Sequence, residues 1–247
     1  MHFDFTSAPH LAAGATERRF TLGGIPGILW TPASASPSAP VPLILLGHPG
    51  GLEQMYPRLA GRARRAAADG FASLTIELPG TGDRAPSAVT EEARAELRRT
   101  LAAGEPVGPD LVDRLVLPLV EGAVPEWRSA VDAALALPEI GGPVGYSGGF
   151  ISIGVRLALT EPRVVAAGLF AGSYIPSVIQ EEARQVTIPL HVLLQWDDEG
   201  NDRQAALDLF DAFGSAEKTL QANLGGHRGV PAFAGEDAAR FFARHLR

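Results

Sequence analysis

No cysteine occurs in the 247 residues, which excludes disulfide bonds, thiolate metal sites and a cysteine nucleophile. No run of about 18 apolar residues is present, so no membrane-spanning helix is expected. Basic charge is in deficit: 21 Lys and Arg against 28 Asp and Glu leave a net charge of −7, the wrong sign for a nucleic-acid partner. The stretch Met1–Phe5 carries Asp4 and lacks the basic-then-apolar layout of a secretory signal, so a cytoplasmic protein with neither nucleic acid nor membrane as partner is expected. The length suits one large α/β domain over residues 1–247, with a deep core.

What the chain does have is a regular alternation of apolar runs and helix-period stretches. Glu17–Phe20 and Ile25–Trp30 flank Gly23-Gly24 and read as an antiparallel hairpin, followed by an exposed Pro/Ala/Ser connection over Thr31–Pro40. Val41–Leu46 is a continuous apolar run, the mark of a strand covered on both faces. It ends in Gly47-His48-Pro49-Gly50-Gly51, a loop at the carboxyl end of a strand, where open α/β sheets keep their ligands. Tyr56, Leu59, Ala60 and Ala63 continue as a helix, and Phe71–Ile76 as the next strand.

The rhythm is then interrupted over residues 84–122, which predict two helical stretches. Thr90 caps the first, with Glu91 and Glu92 in its first turn and Gly104 at its end; Asp110 caps the second. An insertion on the carboxyl side of a strand is placed to act as a lid over the ligand crevice. Glu126–Leu137 restores the helix rhythm. Strands over Val164–Phe170, Leu190–Gln195 and Lys218–Gln221, a helix over Arg203–Phe213, and a pocket-lining segment Tyr174–Gln185 follow. The closing helix repeats Ala238, Phe241, Phe242 and His245 along one face. This order predicts a mostly parallel central sheet with helices on both faces.

Pro143–Gly154, P-V-G-Y-S-G-G-F-I-S-I-G, is a strand-to-helix turn of nucleophile-elbow type. Two registers are open. Gly145-Tyr146-Ser147-Gly148-Gly149 reads as G-x-S-x-G, with Ser147 as nucleophile, but leaves a strand of little more than Pro143 and Val144. Gly148-Gly149-Phe150-Ile151-Ser152 extends the strand through Ser147, close to the usual length of about 4–8 residues, and puts Phe150 at the tip. An acid after a late strand and a histidine after the last strand follow, in the chain order of the α/β-hydrolase triad: Asp198, with Asp197 as the alternative, orienting His227. Gly50, flanked by His48 and Gly51, and the amide of Ile151 sit where oxyanion donors belong, whereas Pro49 has no N–H to offer. His48, Gly50, Gly51, Phe150, Ile151 and Trp196 are the candidate substrate-binding residues.

With P-V-G-Y-S-G-G-F-I-S, L-L-Q-W-D-D-E, L-F-D-A-F-G-S-A-E-K-T-L and G-G-H, nearly the whole chain resembles an actinobacterial branch of α/β-hydrolases related to dienelactone hydrolases. That branch has an elbow like P-V-G-Y-W-G-L-S-M-G. The resemblance implies the α/β-hydrolase fold, puts Ser147 on the branch's Trp and Phe150 on its nucleophilic Ser, and matches Asp198 and His227 to its acid and base. Pro49 departs from the glycine usual there. Loss of the nucleophile is also the pattern of the atypical α/β-hydrolase-fold epimerases of bottromycin biosynthesis, to which the chain is similar. That similarity implies a cofactor-free, metal-free isomerase that inverts an aspartate α-carbon in a ribosomally made, modified macrocyclic peptide. The base is then His227 or the substrate's own carboxylate. A serine esterase or lactonase using Ser147-His227-Asp198, and a non-catalytic binder of a hydrophobic natural product, are the alternatives.

Overall fold

The computed structural model describes residues 1–12, 14–227 and 229–247. Two short strands, β1 (Asp4–Phe5) and β2 (His10–Ala12), which the sequence pattern does not disclose, pair with β3 (Ala15–Leu22). β3 forms the expected hairpin with β4 (Ile25–Pro32), turning on Gly23-Gly24, both at positive φ. The remaining elements alternate: β5 (Val41–Gly47), α1 (Leu52–Ala68), β6 (Ala72–Ile76), α2 (Ala88–Ala102), α3 (Pro109–Leu135), β7 (Ile140–Gly148), α4 (Ile151–Thr160), β8 (Val164–Phe170), α5 (Ser177–Ala183), β9 (Leu190–Gln195), α6 (Arg203–Ala212), β10 (Lys218–Asn223) and α7 (Ala232–Leu246).

The sheet runs β1-β3-β4-β6-β5-β7-β8-β9-β10, antiparallel up to β6 and parallel from there on. β5 shows why its apolar run is unbroken. Leu43 and Leu45 face one layer, with Trp127, Tyr146 and Ile153, while Ile44 and Leu46 face the other, with Leu59, Phe241 and Phe242. Helices α1 and α7 thus cover one face, and α3 to α6 the other. The chain steps from β5 to β6 on one side and then crosses to β7 on the other, so a topological switch lies at the carboxyl ends of β5 and β7.

The interrupting segment is built differently from its sequence reading. Ser87, not Thr90, caps α2, its hydroxyl accepting from Thr90 N at 3.1 Å. Gly108 is the cap of α3, with Pro109 in the first position, where its missing N–H costs nothing and its φ suits the helix. Asp110 is inside the first turn. Nor does a break occur at Gly122: α3 runs uninterrupted through Pro118, Gly122 and Pro125 into the stretch expected as a separate helix. Gly122 serves a close approach instead, since a Cβ there would meet Pro79 Cγ at 3.1 Å. A two-pronged ion pair from Arg84 to Glu126 on α3, with Arg84 Nη1 also donating to Glu77 O at 2.8 Å, fastens the base of the insertion. α2 buries only Ala93 and carries Thr90, Arg94 and Leu97 over the cavity described below.

Candidate active site

Strand β7 extends through Gly148, so Ser147 is a strand residue, paired with Leu46 on β5 and Gly168 on β8. Alternation along β7 sends Tyr146 to the α3–α4 layer and Ser147 to the α1–α7 layer. There the Ser147 hydroxyl is 3.0 Å from Nη2 of Arg62, which also donates to the Ser147 main-chain oxygen, while Nη1 donates to Gly47 O at 2.8 Å. Among the described residues, no hydrogen bond joins Ser147 to His227.

The turn itself is Gly149-Phe150, with Phe150 as the N-cap residue of α4. Glycine is required at 149: its φ is +74°, and a Cβ would fall 2.8 Å from Gly47 Cα. Phe150 has ordinary extended angles, φ −71° and ψ 122°, so the tip stores no backbone strain. Phe150 and Ile151 both line a cavity of about 850 Å³ that also receives Ser173, Tyr174, Asn201 and His227 from the loops at the strand ends.

Asp198 and His227 meet as the sequence reading expects. Nδ1 of His227 is 2.7 Å from Asp198 Oδ2. The Asp198 side chain is 3% exposed and that of His227 63% exposed. Gly200 N donates to Asp198 Oδ1 at 3.0 Å, and the Asn201 amide donates to Oδ2. Burial works to raise the Asp198 carboxyl, but these three donors outweigh it and hold it below the ordinary carboxylate value. With Nδ1–H given to an ionised carboxylate, Nε2 keeps its lone pair, the arrangement of a general base. The ring of Phe170 meets the imidazole edge-on at 5.9 Å. Asp197 has another task. Its carboxylate accepts from Gly225 N and Gly226 N, each at 2.9 Å, and these amides lower its pKa while it pins the loop that carries His227.

Gly50 borders a recess beside His227 at the mouth, with Pro49, Gln54, Met55 and Arg58. Three other expected binding residues are elsewhere. His48 is buried, with ring nitrogens 2.5 Å from Gly50 O and 2.9 Å from Ile76 O, so it ties the end of β5 to the end of β6. Burial lowers its pKa, although both carbonyl oxygens pull the other way. Gly51 starts α1, its carbonyl accepting from Met55 N at 3.0 Å, and the buried Glu77 carboxylate receives Leu52 N at 3.0 Å at the same helix end. Trp196 is 42% exposed, outside the cavity, with the Arg203 guanidinium 4.3 Å from its ring centroid. Its main-chain N–H donates to Asn223 O at 2.7 Å, which prolongs the β9–β10 pairing.

Sequence reasoning missed Asn201, which links Asp198 to the pocket-lining Ser173 hydroxyl (3.2 Å), because nothing in a local pattern distinguishes it from a helix-flanking polar residue. It also missed Arg62, although Arg58, Arg62 and Arg65 recur at i, i+4 and i+7 on α1. Among the described residues, no group of three or more His, Asp or Glu is arranged to hold a metal ion.

No protein-family model and no curated protein sequence matches the chain. Solved structures do. A cold-adapted esterase from an Arctic intertidal metagenomic library, bound to polyethylene glycol, is 26% identical over 99% of this chain and 100% of its own, with a TM-score of 0.72. A dienelactone hydrolase from Anabaena variabilis is 17% identical over 100% of both chains, with a TM-score of 0.63. A Butyrivibrio proteoclasticus protein with bound ferulic acid is 13% identical over 92% of this chain and 98% of its own, with a TM-score of 0.67. The mostly parallel sheet with helices on both faces agrees with these likenesses: the chain has the α/β-hydrolase fold, on an esterase-like scaffold.

Proposed function

We propose that the protein is a cofactor-free, non-hydrolytic epimerase that removes and returns the acidic proton of an α-carbon. The substrate is a modified macrocyclic peptide of bottromycin type, and the carbon is that of an aspartate beside a thiazoline or thiazole ring. The observation that carries this reading is Phe150 at the elbow tip beside an intact Asp198–His227 pair. Loss of a triad nucleophile costs a hydrolase on the order of a million-fold in rate, whereas proton transfer needs only the base.

His227 Nε2 takes the proton, and Asp198 stabilises the imidazolium formed. The electron pair left on carbon is delocalised into the adjacent C=N and carbonyl groups. The amides at the start of α4, beginning with Ile151, offer fixed dipoles to that charge. Return of the proton to the opposite face, by the substrate's own carboxylate or by solvent, completes the inversion with no net change in composition. The esterase likeness favours a second reading, hydrolysis through Ser147, but its hydroxyl lies against Arg62 in the other layer.

The test is incubation of the pathway peptide in D₂O. One deuterium at the inverted carbon, with no other mass change, is expected. General-base assistance contributes about 10²–10⁴ in rate; a loss of that size in His227→Ala assigns the base to His227, and near-normal turnover assigns it to the substrate carboxylate. Bound peptide that acquires no deuterium overturns the reading in favour of a binder.

A further inference from the structure

The cavity does not stop at the elbow. It continues beneath β7 into a gap between α1 and α7, where the α7 wall is made of the small residues Ala232, Ala234, Gly235, Ala238 and Ala239, with Phe242 deeper in. The facing wall, on α1, is cationic. Arg58, Arg62 and Arg65 all border the space, and none has an ion-pair partner among the described residues. Arg94 of α2, paired with Glu91 at 2.8 Å, borders the cavity as well, and Asp69 is the one bordering carboxylate among the described residues, in a chain whose net charge is −7.

Arg62 is the innermost. It is half-buried and touches the cavity, and burial pushes its pKa down to about 10, so it is a cation at neutral pH without an ion-pair partner among the described residues. Gly47 O, Ser147 O and the Ser147 hydroxyl engage one Nη1–H and the Nη2 group; Nε–H and the second Nη1–H have no partner among the described residues. His191, 7% exposed, also borders this space, its Nδ1 3.1 Å from the Thr219 hydroxyl and its Nε2 without a partner among the described residues. A half-buried cation with open donors beside an apolar cavity is matched by an anion that brings hydrogen-bond acceptors. Ile44, Leu46, Phe71 and Phe242 make the rest of this compartment apolar.

We infer that the α1–α7 compartment is a binding site for an amphipathic carboxylate, whose charged group is held by Arg62, with Arg58 and Arg65 at the rim, and whose apolar body fills the space against α7. The inference concerns binding and stands independently of the reaction proposed above, so deuterium exchange tests one and calorimetry the other.

The probe is decanoate, with 1-decanol and inorganic phosphate as controls, titrated by calorimetry below the micellar range. Decanoate is expected to bind at least tenfold more tightly than either control. Arg62→Met is expected to remove that preference. Because Arg62 also holds the ends of β5 and β7, two milder variants accompany it. Arg58→Gln with Arg65→Gln is expected to weaken decanoate at least threefold, and Ala238→Phe to block decanoate and decanol alike by filling the gap. Equal binding of decanoate and decanol, phosphate binding as tightly as decanoate, no binding at all, or binding indifferent to the milder variants would each overturn the inference.

Discussion

Ser147→Ala separates the two registers of the elbow more cleanly than any change at Phe150, because the Ser147 hydroxyl is hydrogen-bonded to Arg62 and, among the described residues, not to His227. The substitution removes the contact between its hydroxyl and Arg62 Nη2 at 3.0 Å. Arg62 is not orphaned, since Nη2 keeps the Ser147 main-chain oxygen and Nη1 keeps Gly47 O at 2.8 Å. A hydrogen bond to a charged group contributes about 1.5–3 kcal/mol, with the larger values where a buried partner is left unmade. The expected loss is therefore at the bottom of that range, about 1.5 kcal/mol, or about 3–6 °C in the unfolding midpoint of a domain this size. Thermal unfolding reads this directly. Deuterium incorporation into the peptide should stay within about twofold of the parent protein, against the losses of about 10²–10⁴ assigned to a general base. A fluorophosphonate probe should label neither form. Stoichiometric labelling of the parent at Ser147, lost in the variant, would refute the reasoning, as would ester turnover that falls by about 10³ or more at unchanged fold.

Phe150→Ser restores a hydroxyl at the tip but should give esterase rates with p-nitrophenyl acetate barely above background, because Pro49 offers no N–H near the site and the turn has the relaxed angles of an ordinary helix start; robust turnover would show that only the nucleophile is missing. Glu161, with a side chain 1% exposed, accepts from Arg163 N, Nε and Nη2, and the hydrogen bonds from Arg163 hold its pKa below the carboxylate norm. A depressed folded-state pKa stabilises the fold above the ordinary carboxylate range and loses that contribution as pH falls through the folded value. Glu161→Gln should thus cost about 1–3 kcal/mol at pH 7 in urea unfolding and flatten the acid limb of the stability profile; an unchanged acid limb would refute this assignment.

The order of elements was legible in the sequence because it rests on short-range physics. Unbroken apolar runs such as Val41–Leu46 and Val164–Phe170 are strands covered on both faces, and both appear in the sheet within a residue of their expected ends. Strand length and the match to the branch's elbow pattern favoured Phe150 over Ser147 at the turn, and the extent of β7 through Gly148 decided it. Asp198 and His227 were paired from chain order and their positions in loops after late strands, with Asp198 preferred and Asp197 kept as the alternative. That distinction depends on which carboxylate the β9–α6 loop turns toward the imidazole and which toward the amides of Gly225 and Gly226.

Other features exist only in three dimensions. Ser147 faces Arg62 because β7 is registered between β5 and β8, and no local signal fixes that register. His48 and Trp196 stand in loops where ligand contacts belong, yet the imidazole of one is held inward by the Ile76 carbonyl at the end of β6, and the indole of the other is exposed against Arg203. The continuity of α3 through two prolines and Gly122 likewise follows from packing on the sheet, which overrides the local preference to break. The cationic wall of α1 becomes a compartment only because the small residues of α7, some 170 positions later in the chain, are folded opposite to it. Sequence spacing fixes which residues share a face of one element; pairing between elements distant in the chain decides what that face meets.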